Sequence, residues 1–198
     1  ALMELDHHSG MVLDAVRHAG IAENTLVIWT SDNGPSYDTF PDSGYTPFRG
    51  QKGETFEGGV RMPCIAWWPG TVPADRSTEG IMTTMDLFDT FAALGKGTVP
   101  TDRPMDGNDQ SAFIKGSETS ATNTVFYYLG DQLTAIRSGK WKSHFATVEN
   151  WPDGPLHTYS APQLYDLKTD PRETTNLVYK KTWAVVEANM LMREHLGE

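Results

Sequence analysis

Asp32 and Asn33 stand side by side in Ser31-Asp32-Asn33-Gly34-Pro35, directly after the apolar run Thr25-Leu26-Val27-Ile28-Trp29. A carboxylate and an amide oxygen are hard donors of the kind a divalent cation selects, and the Gly-Pro that follows turns the chain away. The same residue types also build Asx turns at strand ends, so Asp-Asn-Gly taken alone fits either reading. About twenty residues later, Phe48-Arg49-Gly50-Gln51-Lys52-Gly53 leads through Glu54-Thr55-Phe56 to Glu57-Gly58-Gly59-Val60-Arg61-Met62-Pro63. This segment is punctuated by glycine and carries cations at fixed places. Lys52 lies between Gly50 and Gly53, where glycine lets backbone approach a small anion closely. A solvated loop lysine is the alternative, and the commoner fate of lysines. A cation-binding pair followed by a cationic loop points to a site for an anionic ester.

Those residues need a frame. Leu2, Leu5, Val12, Leu13 and Val16 recur at helical spacing, which predicts an amphipathic helix over 2–19 with one core-facing stripe and Gly20 as its stop. Thr25 to Trp29 reads as a strand covered on both faces. Residues 32–59 form a loop too long for a plain connection, a length that usually accompanies function. Val60 to Trp68 reads as a second strand, ended by Pro69-Gly70, and residues 82–94 read as a helix closed by Gly95. Helix, strand, loop, strand, helix is the rhythm of an α/β domain, assigned to residues 1–115. The texture then changes to turn-rich chain and four short strands, Val125–Leu129, Leu133–Arg137, Trp141–Thr147 and Gln163–Leu167. With a closing helix over 180–196 that puts Trp183, Val186, Met190 and Leu191 on one side, they form an antiparallel-sheet subdomain, residues 116–198.

Composition sets limits. An apolar fraction of 38% with 11% aromatic residues in 198 supports a packed core. A net charge of −10 argues against nucleic acid as a partner, since phosphate contacts need clustered Lys and Arg. It leaves room for a small anion held by a metal ion and one or two placed cations. No run approaches the roughly 20 apolar residues that span a bilayer, so no membrane partner is expected. One cysteine, Cys64, excludes an internal disulfide. The helical pattern is already under way at Ala1, as expected of a chain that starts inside a fold, with any targeting segment upstream.

These stretches together resemble the C-terminal portion of a sulfatase of the alkaline-phosphatase-like superfamily. The match runs through Leu5-Asp6 and Gly20 to Pro35, through Phe48 to Pro63, through Met85-Asp86-Leu87-Phe88, and through Ile136-Arg137-Ser138-Gly139-Lys140-Trp141-Lys142 and Gln163 to Leu177, nearly the whole chain. The resemblance implies a partial mixed sheet with flanking helices, followed by a small antiparallel sheet and a C-terminal helix. It implies a metal-dependent sulfuric ester hydrolase with Asp32 and Asn33 as ligands of a Ca²⁺ ion and Lys52 contacting the sulfate oxygens in catalysis. His144, and with it His157, would line the substrate pocket together with Lys52, because the C-terminal subdomain of the family borders the cleft. Arg49 and Arg61 would be structural, Arg61 pairing with an acid such as Glu57. The family's nucleophile is a formylglycine made from cysteine or serine in a C-x-P-x-R motif upstream. Cys64 is followed by Ile65-Ala66-Trp67-Trp68 and does not fit it. The chain by itself is therefore expected to be inactive. A sulfated small molecule or glycan is the expected partner, and a periplasmic or extracellular location is implied. An open sheet edge left in such a fragment would favour a homo-oligomer.

Three alternatives remain at this point: a phosphate or phosphonate ester hydrolase of the same superfamily, a non-catalytic module binding anionic glycans, and a purely structural fragment. His7 and His8 point about 100° apart on their helix and cannot chelate one ion well. The aromatic residues Tyr127, Tyr128, Trp141, Trp151 and Tyr159 read first as core or rim.

Overall fold

The computed structural model describes residues 2–197. In chain order its elements are α1 Leu2–His18, β1 Val27–Thr30, α2 Glu57–Val60, β2 Cys64–Trp67, α3 Asp86–Leu94, α4 Ser111–Ile114, β3 Thr124–Leu129, β4 Gln132–Ser138, β5 Trp141–Val148, β6 Leu156–Asp166 and α5 Thr182–Leu196. Among the described residues no helix is long and apolar enough to cross a membrane. The contacts divide the chain into two compact units. One contains the residues up to Thr30 together with Pro63–Thr122, the other Ser31–Met62 together with the residues from Asn123 onward.

In the first unit β1 and β2 form a two-stranded antiparallel sheet, with Thr30 opposite Cys64 and Val27 opposite Trp67. The Thr30 hydroxyl donates to the Pro63 carbonyl oxygen at 3.0 Å, so the two ends of the 31–62 excursion are tied together where they meet this sheet. The strands are shorter than their apolar runs suggested and only partly buried. α1 forms as predicted and stops at Gly20 in the left-handed region. Its stripe is not a core face, however. Leu2, Leu5 and Val12 are exposed, Leu13 and Val16 half-buried, and no residue of α1 is fully buried.

α3 departs from its pattern more sharply. Met85, Phe88 and Phe91 are exposed, while Asp86, Asp89 and Thr90 are buried. The reason is the Asp86 carboxylate. Its two oxygens accept the N–H groups of Thr83 and Asn108 at 2.7 and 2.9 Å, the Thr122 hydroxyl at 3.0 Å and the Gln110 amide at 3.3 Å. A fully satisfied buried carboxylate ties down the turn-rich chain that follows α3, and the helix presents its polar side to that chain.

The second unit holds the antiparallel meander β3-β4-β5-β6. All four strands lie where their patterns put them, with β6 extended to eleven residues. Registers of Ala135 with His144, Ile136 with Ser143, Arg137 with Lys142 and Ser138 with Trp141 sort the central strands into two faces. α5 covers the face of Ile136, Ser138, Trp141 and Ser143, and seats its small residues Ala184 and Ala188 there. Leu164, Val178 and Ala184 form the core, with Trp141, Leu177 and Val185 packed against it. Of Trp183, Val186, Met190 and Leu191, expected as one side of this helix, the first three are exposed and Leu191 is half-buried. Trp183 still meets the Trp141 ring edge-on at 5.3 Å. The opposite face of the sheet carries Ala135, Arg137, Lys142 and His144, and it is covered by the loop that bears Lys52.

Candidate active site

Three glycines set the loop against the Asp32–Asn33 corner. The Gly34 N–H donates to the Gly59 carbonyl oxygen and the Lys52 N–H donates to the Pro35 carbonyl oxygen, both at 2.9 Å. A Cβ on Gly34 would collide with the Gly58 carbonyl oxygen, one on Gly58 with the carbonyls of Arg49 and Gly50, and one on Gly59 with those of Gln51 and Glu54. Backbone therefore lies directly on backbone, and the corner and the lysine turn are brought together by main-chain hydrogen bonds. Lys52 itself is exposed, in a turn whose Gly50 and Gly53 both have positive φ.

At the corner, the Asn33 side-chain amide donates to the Gly34 carbonyl oxygen at 2.8 Å, which leaves its amide oxygen as the acceptor available to a ligand. Asp32 is exposed and Asn33 half-buried. The pair supplies two of the six to eight oxygens that Ca²⁺ takes. Among the described residues no group of three His, Cys, Asp or Glu side chains is placed to hold a metal ion. The corner fits a metal as part of a shell and does not form one by itself.

The lysine turn is fastened to the β5–β6 connection. The Glu54 carboxylate accepts the Asn150 N–H at 2.7 Å, and the Gln51 amide donates to the Trp151 carbonyl oxygen at 3.4 Å. The Trp151 ring lies against Gly53, so closely that a Cβ there would enter the indole. Gln51 Oε1 also accepts the Tyr37 N–H at 2.7 Å, which joins the chain after the corner to the same turn.

Beneath the loop lies a buried ionic cluster. Lys142 Nζ is enclosed, 2.9 Å from Glu57 Oε1 and 3.6 Å from Glu173 Oε1, with the Tyr127 ring centred 4.9 Å away. Arg137 and Arg61 stand 3.5 and 3.9 Å from Glu57 Oε2. His144 Nε2 lies 2.6 Å from Glu173 Oε1, its Nδ1 lies 3.5 Å from the Thr55 hydroxyl, and its ring packs on Phe56. The network assigns the tautomer: Nε2–H donates to Glu173 and Nδ1 accepts from Thr55. Burial pushes the imidazole below its ordinary value, and the bond to Glu173 offsets this only in part. Burial would raise the Glu173 carboxyl, but His144 and Lys142 outweigh it and hold the group below the usual range. Burial would lower Lys142, but Tyr127, Glu173 and Glu57 outweigh it and the ammonium titrates above its ordinary value.

These shifts have one sign for acid. Below pH ~6.5 an unfolded chain protonates His144 while the folded chain resists, and below ~4.5 the same holds for Glu173. Both contributions are fully present at neutral pH and are lost as pH falls. Urea midpoints are expected to decline steadily between about pH 7 and pH 4, and His144→Gln should flatten the upper part of that decline. A midpoint that does not move across the window would show an imidazole that takes up its proton in the fold as readily as in the unfolded chain. Arg49, Lys142, Tyr165, Thr55 and Phe56 surround this pair.

Of the residues singled out by sequence, Asp32, Asn33 and Lys52 share one region of the second unit. His144 does not stand at a cleft. It is fully enclosed with both ring nitrogens engaged, because it shares the sheet face of Lys142 and the loop closes over it. Arg49 and Arg61 are structural as expected: Arg49 pairs with Glu149 at 2.6 Å and lies over the Phe56 ring, and Arg61 lies near Glu57 and over Phe48. Cys64 is exposed on β2. Lys142, Glu173, Glu54 and Trp151 were not singled out for such roles. For Lys142 the signal was present: Lys142-Ser143-His144 is a polar run inside a strand.

The family models described as Sulfatase and as the C-terminal region of aryl-sulfatase match residues 1–98 and 120–197. N-acetylgalactosamine-6-sulfatase of Canis lupus familiaris is 41% identical over 152 residues, which cover 76% of this chain and 29% of the relative. Arylsulfatase A of Bos taurus is 37% identical over 195 residues, 90% of this chain and 38% of the relative. Among solved structures, the PsFucS1 sulfatase from Pseudoalteromonas sp. superposes with a TM-score of 0.91 at 36% identity, covering 98% of this chain and 41% of that one. The chain belongs to the sulfatase family and corresponds to its C-terminal portion. It spans roughly a third of the curated relatives it matches.

Proposed function

We propose that this chain carries part of the active site of a calcium-dependent sulfuric ester hydrolase. The observation that carries the reading is the pair of main-chain hydrogen bonds, Gly34 to Gly59 and Lys52 to Pro35, that joins an oxygen-donor corner to a lysine turn. In this reading Asp32 and Asn33 hold the cation through the carboxylate and the amide oxygen that Asn33 leaves open. When bound, Ca²⁺ supplies positive charge against the sulfate oxygens. Lys52 donates from its ammonium to a sulfate oxygen and steadies the charge that develops on the bridging oxygen as the ester S–O bond breaks. The buried cluster excludes water beneath the loop and holds its backbone still. Trp151, pressed on Gly53, offers an aromatic surface beside the lysine for the ring of a sulfated aryl compound or sugar. The names of the relatives support a sulfated glycan as the substrate class. The nucleophile is not among these residues, since Cys64 lacks the flanking motif, and the chain by itself is expected to turn over no more than traces of a sulfate ester.

Calorimetric titration tests the reading. The 198-residue chain is expected to bind Ca²⁺ at one weak site, with Kd on the order of 10⁻⁴–10⁻³ M. Asp32→Ala should remove that site. With calcium present, Lys52→Ala should weaken binding of 4-nitrophenyl sulfate about tenfold, as loss of one charge-assisted hydrogen bond implies. Calcium affinity that survives Asp32→Ala overturns the metal assignment. Equal binding of 4-nitrophenyl phosphate moves the reading to phosphate esters.

A further inference from the structure

We propose that Glu173 is the positioning residue of the lysine turn, a single buried residue whose carboxylate fastens one end of the 49–57 loop to the sheet and whose backbone carbonyl fastens the other. This rests on the reading of Lys52 given above. Glu173 is fully enclosed and has four attachments. Its Oε2 accepts the Glu57 N–H at 2.7 Å, which fastens the far end of the loop. Its backbone carbonyl oxygen accepts from the Arg49 guanidinium at 3.2 Å, which fastens the near end. Its Oε1 takes the His144 Nε2–H at 2.6 Å and lies 3.6 Å from Lys142 Nζ, which fixes the clamp to β5. Arg49 and Glu57 bracket Lys52, and no other residue meets both of them and β5 through hydrogen bonds among the described residues.

The backbone around Glu173 supports a dedicated role. Its φ of +54° places a non-glycine residue in the left-handed region. Such a conformation costs on the order of 1 kcal/mol or more and persists only where the surroundings determine it. Here they do. Asp170 builds the turn, its carbonyl oxygen accepting the Glu173 N–H at 3.1 Å and its carboxylate accepting the Thr174 and Thr175 N–H groups at 2.8 Å. The turn delivers one carboxylate into the sheet face under the loop. A merely space-filling residue would need neither the charge nor the strained backbone.

Three measurements on the full 198-residue chain test the clamp. Glu173→Gln keeps the shape and leaves Lys142 paired with Glu57, so the sheet should remain folded. Hydrogen exchange of the loop amides Lys52, Glu54, Gly58 and Gly59 is expected to quicken at least tenfold, while the amides of β4 and β5 keep their protection. Reductive methylation of Lys52, read by mass spectrometry, should change rate in step. In the presence of calcium, Glu173→Gln should weaken 4-nitrophenyl sulfate binding several-fold in the otherwise unchanged chain and have no effect on top of Lys52→Ala. Arg49→Met, which cuts the near-end attachment from the loop side, should loosen the same amides to a smaller degree. Unchanged loop exchange, or loss of protection in loop and sheet alike, overturns the clamp. If Lys52→Ala leaves ester binding intact while the loop-selective exchange appears, the lysine assignment fails and the clamp stands only as a mechanical feature.

Discussion

Lys142→Ala is expected to lower the unfolding free energy of this chain by about 3–5 kcal/mol, the cost of breaking a buried ion network from one side. Against total stabilities of about 5–15 kcal/mol for ordinary domains, that is a large share. Lys142, Glu57 and Glu173 are all essentially inaccessible to water. Removing the ammonium takes the only cation 2.9 Å from Glu57 Oε1 and leaves the carboxylate to Arg137 and Arg61 at 3.5 and 3.9 Å. Glu57 Oε2 is already buried without a hydrogen bond, so the group has little left to satisfy it. Charge and volume can be separated. Lys142→Met fills the space without the charge and should cost nearly as much as the alanine. The double change Lys142→Met with Glu57→Met removes both charges that face each other and should recover most of the loss, since apolar replacement of a buried pair is often neutral. Urea unfolding of the four chains measures this. A cost under about 1 kcal/mol for Lys142→Ala would mean that water reaches the cluster and screens it, as at a surface pair.

The placement of that cluster was not legible in the sequence, and the reason is physical. Alternation of polar and apolar residues reveals a strand when one face is wet. β5 is buried at Lys142, Ser143 and His144 in succession, because α5 closes one face and the loop the other. Nothing local announces that a loop ninety residues upstream supplies the second cover. The same blindness explains the two helices. Periodicity located α3 and α5 and grouped Trp183, Val186, Met190 and Leu191 on one side, but the buried side of α3 was chosen by the hydrogen bonds of Asp86 and that of α5 by the fit of Ala184 and Ala188 to the sheet. Apolar moment measures where large side chains lie, not where polar groups find partners. What local chemistry does determine was readable: the meander turns at Gly130-Asp131 and Ser138-Gly139, the stop of α1 at Gly20, and the lysine turn with Gly50 and Gly53 at positive φ; Gly58 and Gly59, which suggested positive φ, instead lie in α2 and serve close backbone packing. His144 shows the opposite case. A polar residue placed near a cleft by resemblance is enclosed instead, because the loop that covers its face of the sheet comes from far upstream in the chain.

Gly34→Ala is expected to displace the Asp32–Asn33 corner and, on the proposed metal assignment, to abolish calcium binding without touching Asp32 or Asn33. The new Cβ would occupy the position of the Gly58 carbonyl oxygen, and that oxygen belongs to backbone already packed against Arg49 and Gly50. A flexible side chain in this position would swing aside, whereas a carbonyl held in a stack of main chain has nowhere to go. The corner must lift instead, and the Gly34 to Gly59 hydrogen bond goes with it. The cost should fall at or above the about 1–3 kcal/mol of ordinary overpacking. Two comparisons isolate the cause. Asp32→Ala removes an exposed carboxylate and, on the proposed assignment, should abolish calcium binding with a stability change within about 0.5 kcal/mol, as for most surface substitutions. Gly10→Ala, inside α1 where a Cβ meets nothing within 4 Å, should instead stabilise the chain by about 0.5–1 kcal/mol through helix propensity. The contrast is what gives the test force, because the same chemical change is predicted to have opposite signs at two glycines. If Gly34→Ala keeps both its urea midpoint and its calcium affinity, the corner is not seated on Gly58 and Gly59, and the assignment of Asp32 and Asn33 to a site shared with Lys52 loses its structural basis.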